Sequence, residues 1–164
     1  MTPTAPRVTF VRLARAHLDV LHGLAVDPHV RRFLLDGEVV PRAWCDAVLE
    51  ASDALYAETG LGLYLVERDE TIGFAGFHVF EELGPEPQLL YALTEAHVGQ
   101  GLATEIARAL LEHAFALGRT RVEAAVDAPN VASIRVLEKA GFTRMPRTAA
   151  GAFGETYLFE ATRV

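Results

Sequence analysis

The sequence has one cysteine, Cys45, so no internal disulfide can form, which suits a reducing compartment. A lone cysteine of this kind reads as a small, half-buried apolar residue rather than a nucleophile. Long apolar runs are also missing. None approaches the ~18–20 residues that a membrane span needs, and the N-terminus shows neither a basic segment nor an apolar one of the secretory type. The expected location is therefore the cytoplasm, with no membrane partner. Positive charge is scarce as well: the net charge is −7 over 164 residues. Nucleic-acid affinity comes mostly from Lys and Arg neutralising phosphates, so a nucleic-acid partner is not expected. No metal is expected either.

What is present is a chain about half apolar, long enough to bury a real core, and residues 1–164 are expected to form one domain. The charge is unevenly distributed. Between Asp36 and Pro87 there are twelve Asp and Glu against two Arg, a net of −10 that leaves +3 for the rest. Arg119, Arg121, Arg135, Lys139, Arg144 and Arg147 form a basic run in that remainder. One part of the surface would favour an anionic ligand and another a cationic one, although solubilising surface charge explains the same pattern.

Hydrophobic periodicity orders the chain as β-α-α-α-β-β-β-α-β-α-β-β. Val8 to Leu13 alternates as a strand, and Leu18, Leu21 and Leu24 recur at helical spacing. Asp27-Pro28 pairs an N-cap residue with proline at the first helical position. A third helix from Pro41 to Tyr56 is expected to bury Trp44, Ala47, Val48, Ala51 and Leu55 along one face. Leu61 to Glu67 and Thr71 to Phe80 read as a hairpin around Arg68-Asp69-Glu70, with Gly73 and Gly76 suggesting close backbone approach. Glu81 to Pro87 reads as a loop, and Gln88 to Thr94 as a near-continuous apolar strand for the centre of a sheet. A helix follows Gly101 and stops at Gly118, Arg121 to Val126 is a strand, and Asn130 opens a helix that Gly141 closes. Phe142 begins a strand, Arg147 to Gly154 reads as a loop, and Glu155 to Ala161 closes the chain.

Between the central strand and its helix stand Val98-Gly99-Gln100-Gly101-Leu102-Ala103-Thr104. Two glycines before a helix start expose backbone N–H groups at the positive end of the helix dipole, an arrangement suited to phosphate. A dinucleotide fingerprint would need a third glycine where Thr104 stands, and the Gly-Lys-Ser/Thr ending of a P-loop is absent.

Strand, Val98-Gly99-Gln100-Gly101-Leu102-Ala103 and amphipathic helix together resemble the acyl-CoA signature of the GNAT N-acetyltransferases, Arg/Gln-x-x-Gly-x-Gly/Ala. Asn130-Val131-Ala132-Ser133 and Leu137-Glu138-Lys139-Ala140-Gly141-Phe142 resemble the family's next helix. The Asp-Pro-x-Val-x-x-Phe of residues 27–33 resembles the branch that includes ribosomal-protein N-terminal acetyltransferases. The resemblance implies a mixed α/β (α+β) GNAT fold: a central sheet of six to seven strands, splayed at its central pair, with helices on both faces. It further implies an enzyme that transfers acetyl from acetyl-CoA to a primary amine, on a small molecule or a peptide N-terminus, by direct attack.

By the same resemblance, Leu93 and Thr94 would pair with the pantetheine arm and a backbone N–H near Leu93 would polarise the thioester carbonyl. Val98, Gly99, Gln100, Gly101, Leu102, Ala103 and Thr104 would hold the pyrophosphate, with Asn130 and Ser133 along the arm. Val98 departs from the family's Arg or Gln. Leu137 stands where many relatives carry a tyrosine acid, so Ser133, one turn earlier, is the candidate acid; packing or capping is its alternative role. Gln88 stands where some relatives carry a glutamate base, leaving Glu81, Glu82, Glu95 and His78 as candidates. Another acyl-CoA, a hydroxyl acceptor and a non-catalytic acyl-CoA-binding module remain alternatives. The acidic 36–87 region would form the acceptor side and attract a cationic amine, and monomer and homodimer are both open.

Overall fold

In a computed structural model describing residues 1–164, one seven-stranded sheet runs through the whole chain in the order β1-β2-β3-β4-β5-β7-β6. Its strands are β1 (Thr9–Arg12), β2 (Leu63–Arg68), β3 (Glu70–His78), β4 (Gln88–Leu93), β5 (Arg121–Asp127), β6 (Thr143–Gly151) and β7 (Gly154–Thr162). The helices are α1 (Leu18–Ala25), α2 (Pro28–Leu34), α3 (Arg42–Thr59), α4 (Leu102–Ala116) and α5 (Val131–Ala140). Short 3-10 turns occupy Arg15–His17, Glu81–Leu83 and Glu95–His97, the second of them inside the segment expected to be a plain loop.

The central strands are buried on both faces, as their near-continuous apolar sequences require. Tyr64 and Val66 of β2 enter a core that also holds Ile72, Phe77, Ile106, Leu110 and Phe159, under α4 and α5. Leu63 and Leu65 enter a second core with Leu21, Cys45, Leu49 and Phe74, under α1 to α3. Close backbone approach in β3 is real: a Cβ on Gly73 would collide with the carbonyl oxygen of Ala92 on the neighbouring strand.

Only one Cα register pair joins β4 to β5, the parallel Gln88↔Glu123. Beyond it the two strands diverge, which is the expected splay. Antiparallel pairing of β3 with β4 then decides which backbone groups face the gap. The Thr94 N–H donates to Ile72 O at 2.9 Å and its carbonyl accepts from His97 N, while Ala92 and Leu90 spend their backbone bonds on β3. Leu93 and Tyr91 alternate with them and turn their N–H and C=O groups toward the opening.

Several local expectations are corrected. The buried face of α3 carries Cys45, Val48, Leu49, Ser52 and Leu55, whereas Ala47 and Ala51 are exposed and Trp44 is half-buried. Small alanines carry little periodicity signal, so the face read from sequence is rotated. Cys45 is wholly buried rather than half-buried. Residues 147–151 extend β6 instead of looping, because Thr148, Ala149 and Ala150 pair with Tyr157, Thr156 and Glu155 of β7. That pairing is long-range for a segment without strand-like alternation, and the sequence pattern does not report it.

Candidate functional site

Two cavities meet where β4 and β5 part. The larger, about 570 Å³, lies between the C-terminal half of β4, the start of α4, α2 and α5. Its wall includes Leu93, Val98, Gly99, Gly101, Leu102, Ala103 and Thr104. Gly99 and Gly101 have φ of 73° and 77°, the left-handed region where a side chain is strained. That conformation, followed by the first turn of α4, leaves the backbone N–H groups from Gly99 to Thr104 without an acceptor in the protein. Six successive donors at a helix N-terminus form an anion cradle. Arg32, Arg135, Lys139, His29 and His97 also line this cleft, and no carboxylate does.

Two side chains expected here are engaged elsewhere. Thr94 is not part of the wall: its N–H is held by Ile72 and its Oγ1 meets His97 Nδ1 at 2.8 Å. The side chain of Gln100 turns away, its Nε2 donating to Ala96 O and its Oε1 accepting from Arg68. Val98, without a cationic side chain, is exposed at the rim. Arg7 and Glu105 brace the loop from behind, paired at 2.7 Å, with Arg7 Nη1 donating to Gln100 O at 2.9 Å.

The second cavity, about 390 Å³, opens on the other side of the gap. Asp36, Glu82 and Asp127 line it, and no Lys, Arg or His does. Asp127 ends β5 and accepts from Thr156 Oγ1 at 3.1 Å. Burial raises its carboxyl above the usual aspartate range, the Thr156 bond opposes that, and the charge of Asp36 adds to it. Of the carboxylates and histidine named as bases from sequence, only Glu82 reaches this cavity. Glu95 belongs to the turn before the glycines, and His78 stacks edge-on against Phe80. Burial lowers His78 below the usual imidazole value.

Tyr91, Asn130 and Ser133 line both cavities. Asn130 caps α5, its Oδ1 accepting from Ser133 N at 3.2 Å, which leaves its Nδ2 donors free. Ser133 Oγ and the Tyr91 hydroxyl share a 2.6 Å hydrogen bond. Burial pushes the Tyr91 phenol up to about 12, the hydrogen bond shared with Ser133 pulling the other way, so the phenol keeps its proton at neutral pH. Leu137 is buried and brings no polar group. Sequence reasoning missed both Tyr91 and Asp127. Tyr91 sits in an apolar strand where a tyrosine reads as core, and Asp127 sits where an aspartate reads as a turn residue.

The basic run of the sequence divides in the fold. Arg135 and Lys139 reach the large cleft, while Arg121 pairs with Glu123 at 2.6 Å and Arg119 with Glu86 at 3.4 Å. The acidic segment divides likewise, since only Asp36 and Glu82 of its carboxylates enter the small cavity.

Comparison with known proteins agrees with this geometry. The chain is 26% identical over 162 residues to the uncharacterized N-acetyltransferase p20 of Bacillus licheniformis, covering 93% of this chain and 91% of that one. Among solved structures it shares the fold of AAC(6')-Ib in complex with paromomycin and acetyl-CoA, with a TM-score of 0.78, 23% identity and coverage of 96% and 94%. It also shares the fold of RimL, the ribosomal L7/L12 alpha-N-protein acetyltransferase in complex with coenzyme A, with a TM-score of 0.80, 19% identity and coverage of 98% and 96%. The family described as acetyltransferase (GNAT) domain matches residues 7–143, from the start of β1 to the start of β6. With its splayed central pair and its glycine cradle, the chain belongs to the GNAT acetyltransferase family.

Proposed function

We propose that this protein is an acetyl-CoA-dependent N-acetyltransferase that acetylates a primary amine, with donor and acceptor entering from the two sides of the β4/β5 gap. The observation that carries the reading is the division of charge. The cleft with the glycine cradle holds three cations and no carboxylate, and the cavity beyond Tyr91 and Ser133 holds three carboxylates and no cation. A phosphate-bearing donor fits the first and an amine the second.

The residues present fit the donor. Backbone N–H groups from Gly99 to Thr104 would receive the pyrophosphate, Gln100 through its amide only, with Arg32, Arg135 and Lys139 nearby for further phosphate. Leu93 turns its backbone groups to the gap, so they would take the pairing with the arm, and its N–H would donate to the thioester oxygen. The free Nδ2 of Asn130 would donate along the arm. The thioester supplies an activated acyl group: a C–N bond forms to the amine as the C–S bond breaks.

Two protons must move. The ammonium of the acceptor loses one to a carboxylate of the small cavity, and Asp127, whose surroundings raise its proton affinity, is the best suited. The departing thiolate takes one through the hydroxyl of Ser133 from the phenol of Tyr91, which regains it from solvent in the cavity. Tyr91 thus stands in from β4 for the acid that Leu137 does not provide.

The peptide N-terminus remains one class of amine here. The Asp27 cap supports the ribosomal-protein branch, its Oδ1 accepting from His29 N and Val30 N at the head of α2. The similarity to RimL supports it too. A buried, reduced Cys45 accords with a cytoplasmic setting.

Thermal unfolding with coenzyme A tests the donor site. At about 100 times its Kd a ligand stabilises by ~2.7 kcal/mol, a rise of roughly 5–10 °C for a chain of this length. Gly99→Glu, at a position where a Cβ meets open space, should abolish the rise, and Gly99→Ala, which has the same backbone strain without the charge, should keep most of it. An undiminished rise in Gly99→Glu would overturn the assignment.

A further inference from the structure

The three carboxylates of the small cavity outnumber what one reacting amine requires. Asp36, Glu82 and Asp127 come from the end of α2, the turn before β4 and the end of β5, and none forms an ion pair with any Lys or Arg. They are not gathered as metal ligands would be. A second and separate observation concerns Gln88, on the inner wall of the same cavity. It is 2% exposed, its Nε2 donates to Glu123 Oε2 at 2.9 Å, and its Oε1 has no partner. Glu123 cannot serve that oxygen, being itself an acceptor, and it is already paired with Arg121. A buried carbonyl oxygen left without a donor costs about 1–3 kcal/mol, and a ligand N–H reaching it removes that cost.

Chemistry at the gap uses one carboxylate only. Attack requires a neutral amine, so one carboxylate takes one proton from one ammonium. Asp36 stands near enough to Asp127 for its charge to act there, whereas Glu82 acts on His78, the β3 partner of Gln88; Glu82 and the free Gln88 oxygen call for a second cationic donor that does not react. Gln88 and Tyr91 lie three residues apart on β4, roughly 10 Å at about 3.3 Å per residue, which separates the second donor from the point of transfer. Leu90 and Ala125 line the wall between, apolar surface suited to methylene groups.

We infer that the acceptor is a small aliphatic molecule with two amines, one acetylated beside Ser133, Tyr91 and the Asp36–Asp127 end of the cavity and the other held as an ammonium by Glu82 and the Gln88 carbonyl. The inference rests on the acetyltransferase reading and deepens it. It separates this chain's acceptor from a simple monoamine, and it assigns Gln88 to recognition rather than to proton transfer.

The test compares α,ω-diaminoalkanes with n-alkylamines of matched length, from butane to octane, in two measurements. Calorimetric titration into the complex with coenzyme A reads acceptor affinity without turnover. Release of thiol from acetyl-CoA reads kcat/KM. The best diamine should bind about tenfold tighter or more than its monoamine, the scale of one charge-assisted contact, and the preference should shrink as salt rises. It should peak at one chain length and collapse toward unity in Glu82→Gln. Gln88→Leu, which removes the orphan oxygen, should lower the ratio as well. Equal binding of the two series, or tighter binding of a short peptide with a free N-terminus than of any diamine, would overturn the inference while leaving the acetyltransferase reading intact. Absence of thiol release with every amine would instead overturn that reading, and the diamine preference in calorimetry would still stand or fall by itself.

Discussion

Removing the oxygen of Tyr91 isolates the proton path. In Tyr91→Phe the ring still fills the same space beside α5, and what disappears is the 2.6 Å bond to Ser133 Oγ and the 3.3 Å contact with the Ser133 carbonyl oxygen. A net hydrogen bond of this kind is worth about 1 kcal/mol, which lowers Tm by roughly 2–4 °C in a chain of this length. Turnover should fall further than stability. General-acid assistance contributes about 10²–10⁴-fold, and the lower end applies where a thiolate is the leaving group. Tyr91→Phe and Ser133→Ala should therefore each lower kcat by about 10²-fold, with KM for acetyl-CoA changed by less than about threefold. Because one proton passes through both hydroxyls, the double variant should be no slower than the slower single one. The assay is thiol release followed with a chromogenic disulfide, to which the buried Cys45 adds no background until the protein unfolds. A double variant slowed by the product of the two single effects would show two independent groups. A Tyr91→Phe enzyme as fast as the parent would refute the path altogether.

The acceptor side has a pH signature. Folding raises the Asp127 carboxyl, so the folded state holds that proton to higher pH than the unfolded chain; the stability this contributes is present at acid pH and lost as pH rises through the folded value. Asp127→Asn should accordingly raise Tm at neutral pH, keep the bond from Thr156, lose its advantage in acid and lower kcat by about 10²-fold if Asp127 takes the amine proton; matched stability curves with pH-dependent kinetics check both halves. Asn130→Ala should cost about 1 kcal/mol through loss of the α5 cap. It should also weaken coenzyme A binding measured by calorimetry, and an unchanged Kd would confine Asn130 to the cap.

How much of this could be read from the chain alone differs residue by residue, and the difference follows the range of the forces involved. Gly99 and Gly101, the Asp27 and Asn130 caps and the apolar spacing of α4 express preferences that act within a turn or two, so the helix starts and the left-handed glycine turn were legible in sequence. Charge asymmetry was legible too, because it needs only counting. The gap itself was expected from the family resemblance, and the single register pair Gln88↔Glu123 bears it out. The availability of each backbone group was not legible. Strand pairing with Ile72 claims the Thr94 N–H, and pairing partners lie far apart in sequence. Tyr91 and Ser133 are 42 residues apart, and only the packing of α5 against the open side of β4 brings their oxygens together. Asp36, Glu82 and Asp127 likewise share a cavity only because three separate elements close around it. The sequence by itself determined the family and the glycine turn before α4, both built from local backbone chemistry. Tertiary structure decided the meeting of Tyr91 with Ser133 and the cavity shared by Asp36, Glu82 and Asp127, because each depends on side chains that meet only when distant segments pack.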